Sequence, residues 1–387
     1  MNVSESRRRA FPVLLGILSL LAGASGGLFG VCGPFTDVSD AAFCPFVLEI
    51  FTLGITTGTS PTTYDPGNSV TRLQMAAFLS RSVDGVLLRG SRRTLVKKFW
   101  TPKSPLTLGL TTVGAGPRLV ACDGVDVWVG NSTGHSISRV RGSDGRLLAT
   151  WTGANNPFGL MVAMGQVFGS GSTIPGRLYR ITPSQPAGVV TTVASNLANS
   201  PEGITFDGSR IWTAHANGTV SIVTPGASIP WTVTTVTVGT ALTGAVFDGA
   251  NVWVTDRSAG TLLKLDANGA VLQTVPLGAD AQQAVFDGTN IWAPSFLASS
   301  VSVVRASTGA LLATLTGNGL NDAIDAAFDG QRVLVVSFGG ETLSLWKAAD
   351  LTPLGSLPLP GHAPLGACSD GINFWVTLFG KDALGRF

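Results

Sequence analysis

The chain is 387 residues long, with 12% charged residues, 44% hydrophobic residues, 49 Gly and a formal net charge of +2. Arg7, Arg8 and Arg9 less Glu5 account for that excess, so the remainder is near neutral and lacks the overall positive charge a nucleic-acid partner requires. Abundant Gly and scarce charge suit a turn-rich, all-β fold with an uncharged polar surface.

Residues 1–24 place three arginines before the apolar run FPVLLGILSLLAG and then Ala22-Gly23-Ala24, the order of a secretory signal peptide cleaved after residue 24. The run is short for a membrane span and no other segment is long and apolar enough, so the expectation is an exported protein with no stable span after cleavage. Residues 25–33 read as a short linker.

Residues 34–82 form a small helical module. Its sequence from Phe35, FTDVSDAAFCPFVLEIFTLGITTGTSPTTYDPGNSVTRLQMAAFLSR, reads as helix, Gly-rich turn, loop and helix. Asp37 or Ser39 is expected to cap the first helix and Thr71 the second. The order of Phe35-Thr36-Asp37-Val38, Val47, Ile50, Gly54-Ile55, Gly58, Asp65-Pro66 and Val70-Thr71-Arg72 resembles one S-layer homology motif. That resemblance implies association with secondary cell-wall polysaccharide, with Arg72 on the anionic sugar and Thr71 in support. The family usually joins three such motifs and carries Glu where this chain has Gln74.

Residues 83–93 read as a basic linker and residues 94–387 as the main domain. Between residues 85 and 122 lie Arg89, Arg92, Arg93, Lys97, Lys98, Lys103 and Arg118 with no acid. We read this stretch as solvated linker plus one strand.

From residue 122 one unit recurs: an apolar run, an Asp-Gly turn, and an aromatic inside a second apolar run. It reads CDGVDVWV from Cys122, FDGSRIWT from Phe206, FDGANVWV from Phe247, FDGTNIWA from Phe286, FDGQRVLV from Phe328 and SDGINFWV from Ser369, with a degenerate AMGQVFG from Ala163. The aromatic position falls at Trp128, Phe168, Trp212, Trp253, Trp292, Leu334 and Trp375, spaced by 40, 44, 41, 39, 42 and 41 residues. Asp-Gly between alternating β-branched runs is a hairpin signal, and a second hairpin follows in each unit. Four strands at a period near forty predict a seven-bladed β-propeller, mainly β, whose stacked blades cover each other's faces. The last unit holds about three strands, so a strand from residues 94–113 is expected to close the ring. The units resemble the YVTN-type propeller repeats, most closely in VWVTD followed by SAGTLLKLDANG.

Four cysteines, an even number in an exported chain, point to disulfides rather than metal or redox chemistry. Cys32 and Cys44 flank the start of the helical module and can staple its first helix. Cys122 and Cys368 fall in the first strands of the first and last blades with opposite parity from the Asp-Gly anchor, which lets them face each other across the closing interface. The alternative is two separately buried thiols, should the strands lie outside the roughly 4.4–6.8 Å between Cα atoms that a disulfide needs.

Functional residues are expected where the repeat is broken, at the rim opposite the Asp-Gly turns. First strands begin at Arg118, Phe158, Glu202, Thr243, Gln282 with Gln283, Ile324 with Asp325, and Leu365. Second strands end at Asn131, Gly171, His215, Asp256, Ser295, Ser337 and Leu378. Arg118, Asn131, Glu202, His215, Asp256, Gln282 and Asp325 are the candidate ligand contacts. Glu202, His215 and Asp256 are the one grouping that could contribute to a divalent-metal site. No nucleophile elbow, phosphate loop or dinucleotide fingerprint is present, and no cofactor is expected. The leading expectation is a non-catalytic envelope protein whose module associates with surface polysaccharide while the propeller binds a protein, peptide or glycan. The alternative is an extracellular metal-dependent hydrolase, lactonase or lyase.

Overall fold

The computed structural model describes residue 32, residues 34–40, 42–52, 55–80 and 82, and residues 109–387. The expected signal peptide, most of the linker at 25–33 and the basic linker at 83–93 lie outside the described residues. Two compact units divide the chain, Met1–Thr101 and Pro102–Phe387. No helix among the described residues is long and apolar enough to cross a membrane.

The second unit is a ring of seven four-stranded antiparallel sheets. Six are contiguous in sequence, within residues 117–152, 157–197, 201–237, 242–276, 285–315 and 323–358. They are blades 1 to 6. Blade 7 holds Pro364–Ser369, Phe374–Leu378 and Ala383–Arg386, and its outer strand is Leu110–Thr112, paired in the register Leu110 with Gly385 and Thr112 with Ala383. The closing strand therefore occupies the end of the expected 94–113 stretch, and residues 94–108 fall outside the described residues. The Cys122–Cys368 disulfide, with Cα atoms 5.8 Å apart, adds a covalent clasp between blades 1 and 7.

Each repeated tryptophan has two jobs. Trp128, Trp212, Trp253, Trp292 and Trp375 are essentially fully buried, and they pack between blades: Trp128 lies with Leu160, Val167 and Tyr179 of blade 2, and Trp375 with Val120, Val127 and Val140 of blade 1. Each indole Nε1 also donates to the aspartate of its own Asp-Gly turn, at 2.9 Å for Asp123 and 2.7 Å for Asp207, Asp248, Asp287 and Asp370. Blade 2 has lost both partners together, carrying Met164 and Phe168. Blade 6 keeps Asp329, and with Leu334 in place of the indole, Arg332 Nε donates to it at 2.9 Å.

The inner strands touch through a belt of small residues. A Cβ on Gly159, Gly203, Gly244 or Gly366 would run into the carbonyl of Glu202, Thr243, Gln282 or Arg118 on the next blade. Ser170, Thr255 and Thr377 reinforce it: each hydroxyl accepts the N–H of its own blade's glycine and donates to the next blade's carbonyl. Six of the seven first strands carry an irregularity in register near this point, as between Pro201 and Ile204.

In the first unit, Cys32, Phe35, Val38 and Val47 form a small core with Phe51 and Tyr64 around it. The Cys32–Cys44 disulfide joins it to helix α1 (Cys44–Thr52). Among the described residues neither Asp37 nor Ser39 hydrogen-bonds to the start of α1. The Asp37 carboxylate instead accepts the backbone N–H groups of Tyr64 at 2.8 Å and Asp65 at 2.6 Å, while Asp40 supports the turn into the helix through Ala42 N–H. The hydrogen bond from Tyr64 holds Asp37 below the usual carboxylate range. A second helix, α2, covers residues 72–80.

Candidate functional site

Two places answer to the sequence expectations. At the start of α2, Thr71 Oγ1 accepts Gln74 N–H at 3.2 Å and Gln74 Oε1 accepts Thr71 N–H at 2.8 Å. This is a capping box, for which glutamine serves as well as glutamate. It fixes the first turn and leaves Arg72 exposed, with no carboxylate among the described residues paired to it. A free guanidinium at a rigid helix start is suited to anion recognition.

The second place is the propeller rim. In order around the ring its first strands present Arg118, Phe158, Glu202, Thr243, Gln282, Ile324 and Leu365, all on the rim where first strands begin and second strands end, as the pairing of Pro201 with His215 shows. The ring has two halves. Glu202, Thr243 and Gln282 on blades 3 to 5 are polar and buried. Ile324, Leu365 and Phe158 on blades 6, 7 and 2 are apolar and half-buried, with Arg118 of blade 1 set among them.

Arg118 carries its guanidinium over the Phe158 ring at 4.9 Å and near the Phe379 ring at 5.9 Å. Its Nε is buried with no hydrogen-bond partner. Burial lowers its pKa, and the charge of Glu202 opposes that. Glu202 lies 3.6 Å from Arg257. Its carboxyl is pushed up by burial, with Arg257 and Arg118 pulling it down and Asp280 adding to the rise. Beside this pair an open cleft of about 550 Å³ lies between the rim turns of blades 4 and 5, lined by Arg257, Leu277, Ala279, Asp280 and Leu297 among others. Gln282 Nε2 donates to Asp280 at 2.8 Å.

The other candidates have their side chains engaged within the fold. Asp256 accepts from Thr240 N–H and Oγ1, Ala241 N–H and Ala259 N–H, so its carboxylate shapes two rim turns. These bonds outweigh its burial and hold its pKa down. His215 is fully buried against Thr213 Oγ1 at 2.9 Å, and burial drives its imidazole down to about 4. Asn131 donates to Ser136 and Ser138 inside blade 1. Asp325 occupies the position that is glycine in blades 2, 3, 4 and 7. Its carboxylate enters the interface between blades 6 and 7, accepting Ala326 and Ala367 N–H at 2.8 Å each, and burial pushes it up to about 7. Asn131 and Asp325 thus direct hydrogen bonds to partners inside the blades.

Glu202, His215 and Asp256 do not converge. Among the described residues no three His, Cys, Asp or Glu side chains come together to hold a metal ion, because each of these three is drawn to a different internal partner. Arg257, Asp280 and Phe379 stand one or more residues outside the strand ends, so the pattern of strand starts and ends does not reach them. The visible signals were charge directly after VWVTD and an aromatic directly after FWVTL.

Residues 34–76 match the S-layer homology domain. Among curated protein sequences none matches the chain. Many solved structures share the propeller. A streptogramin B lyase is 15% identical with a TM-score of 0.59, over 72% of this chain and 96% of that one. A catalytically inactive histidine-to-alanine form of virginiamycin B lyase from Staphylococcus aureus, with quinupristin, is 15% identical with a TM-score of 0.61, over 72% and 98%. Hydrazine synthase of Kuenenia stuttgartiensis is 15% identical with a TM-score of 0.60, over 72% and 97%. At such identity the likeness shows the fold alone. The S-layer homology match suggests association with the cell surface.

Proposed function

We propose that this is an exported cell-envelope protein with two divided roles. The helical module associates with anionic cell-surface polysaccharide through Arg72, steadied by Thr71, and the propeller is a non-catalytic scaffold whose rim and cleft receive a ligand. The signal peptide at residues 1–24 and the YVTN-like character of the blades belong to the same reading. The observation that carries it is the S-layer homology match at residues 34–76, together with an exposed Arg72 on a capped helix start that has no carboxylate partner among the described residues. The hydrolase or lyase alternative gains no support from the rim. Asp256 and His215 are bound up in turn capping and blade packing, and Glu202 faces Arg257 at 3.6 Å, which lowers their availability for chemistry.

The test is binding of the purified protein to isolated wall polysaccharide, comparing wild type with Arg72→Ala and Arg72→Lys. Loss of at least about tenfold in affinity for Arg72→Ala, partly recovered by lysine, is the expected result for one charge-assisted contact. Equal retention of all three proteins would remove Arg72 from the mechanism.

A further inference from the structure

The rim of a seven-fold repeat offers seven equivalent positions, and an apolar run of three broken by one cation needs a reason. Going from blade 6 to blade 2 the residues are Ile324, Leu365, Arg118 and Phe158. Arg118 lies between two aromatic rings, one from each side, Phe158 of blade 2 and Phe379 beyond the second strand of blade 7. Its Nε has no partner although it is buried, and no carboxylate among the described residues forms an ion pair with it. The acid that shares its field, Glu202, stands two blades away and is paired with Arg257. A guanidinium desolvated by apolar neighbours and left short of an acceptor is costly unless an anion arrives to meet it. Arg180 shows a similar vacancy over the Trp231 ring, but it lies on the third strand of blade 2 and not among the first-strand starts of the rim; Arg139, which also lies over a tryptophan, donates to Asp126 at 2.6 Å and to Pro183 O at 3.0 Å.

We propose that Arg118 is the anion-binding residue of a ligand site for a carboxylate attached to an apolar body. The carboxylate meets the guanidinium, and the apolar part lies over Phe158, Phe379 and Leu365. All four residues keep part of their surface exposed, so the site can be reached from the rim. The inference rests on reading the rim as the ligand face and names the chemistry of what binds there. It is independent of the wall-binding module, so its failure would leave the polysaccharide result untouched.

The experiment is calorimetric titration of the full chain with 3-phenylpropionate, its neutral amide and acetate. Binding of the acid at up to about 10 mM, at least about tenfold tighter than the amide or acetate, is expected from one charge-assisted pair plus an apolar contact. Arg118→Gln should abolish the preference for acid over amide, and Arg146→Gln, at an exposed residue between the third and fourth strands of blade 1, should keep it. Because Arg118→Gln could lose the stacking that joins three blades, Leu365→Asp serves as the second variant. It places a carboxylate beside Arg118 with that stacking intact, and should remove acid binding. No binding of the acid, equal binding of acid and amide, acetate as tight as phenylpropionate, or a preference that survives either Arg118→Gln or Leu365→Asp would each overturn the proposal.

Discussion

The tryptophan and aspartate of each repeat act as a pair. The indole N–H satisfies a carboxylate that also accepts two backbone N–H groups in the Asp-Gly turn, as Asp248 does with Ala250 and Asn251. Replacing Trp253 by Phe removes one donor and part of the packing volume, so a loss of about 2–4 kcal/mol is expected in denaturant unfolding. Asp248→Asn should soften that loss in the double mutant, because the two residues share one interaction. Blade 2, where Asp and Trp are absent together, already has that combination. A fully additive double mutant would show that the pairing carries no energy.

Two buried titrating groups impose opposite pH dependences. His215 has its pKa lowered from 6.5 to about 4 by burial. The unfolded chain therefore binds more protons in that window, and stability is lost as pH falls from 6.5 towards 4. Asp325 is raised from 3.8 to about 7. Its contribution is present below pH 3.8 and is lost as pH rises through 7. Between about pH 4 and 6.5 the two slopes oppose each other. His215→Gln should therefore make melting temperature fall with rising pH across that range, and Asp325→Asn should make it rise. Unchanged pH profiles in both variants would contradict the account.

At the scale of elements, the inner-strand belt explains why the rim resists simple reading. The register irregularity near six of the seven first-strand starts changes which way the next side chain points, so counting residues from the Asp-Gly anchor locates the rim but does not give direction beyond that point. Cys122 and Cys368 lie on the turn side of the irregularity, and there parity counting holds. Asp325 lies at it, and its carboxylate enters the blade interface. The Asp-Gly turns, the Trp period and the strand count were legible because they are local and repeated. The engagement of Asp256, His215 and Asn131 was not, because their partners are fixed by tertiary contacts. Gly203 tests the belt: a Cβ there would stand 2.6 Å from Thr243 O. Gly203→Ala should cost about 1–3 kcal/mol by overpacking two blades, measured by chemical denaturation. A neutral effect would mean the belt yields readily.

For the whole molecule, ring closure and surface association are the two properties that matter. A three-residue strand and one disulfide hold the first and last blades together, and the disulfide spans 246 residues. Chain-entropy arguments give such a crosslink a ceiling of about 5 kcal/mol. Cys122→Ser with Cys368→Ser should lower the unfolding midpoint clearly, leaving seven folded blades, as judged by circular dichroism. The central claim concerns location: a folded propeller carried to the cell surface by a single S-layer homology module. Its most direct test is fractionation of the producing cells, comparing wild type with Arg72→Ala and checking that both melt at the same temperature. The account predicts wild type in the wall fraction and the variant released to the medium. Wild type found in the cytoplasm, or both proteins retained equally by the wall, would contradict it.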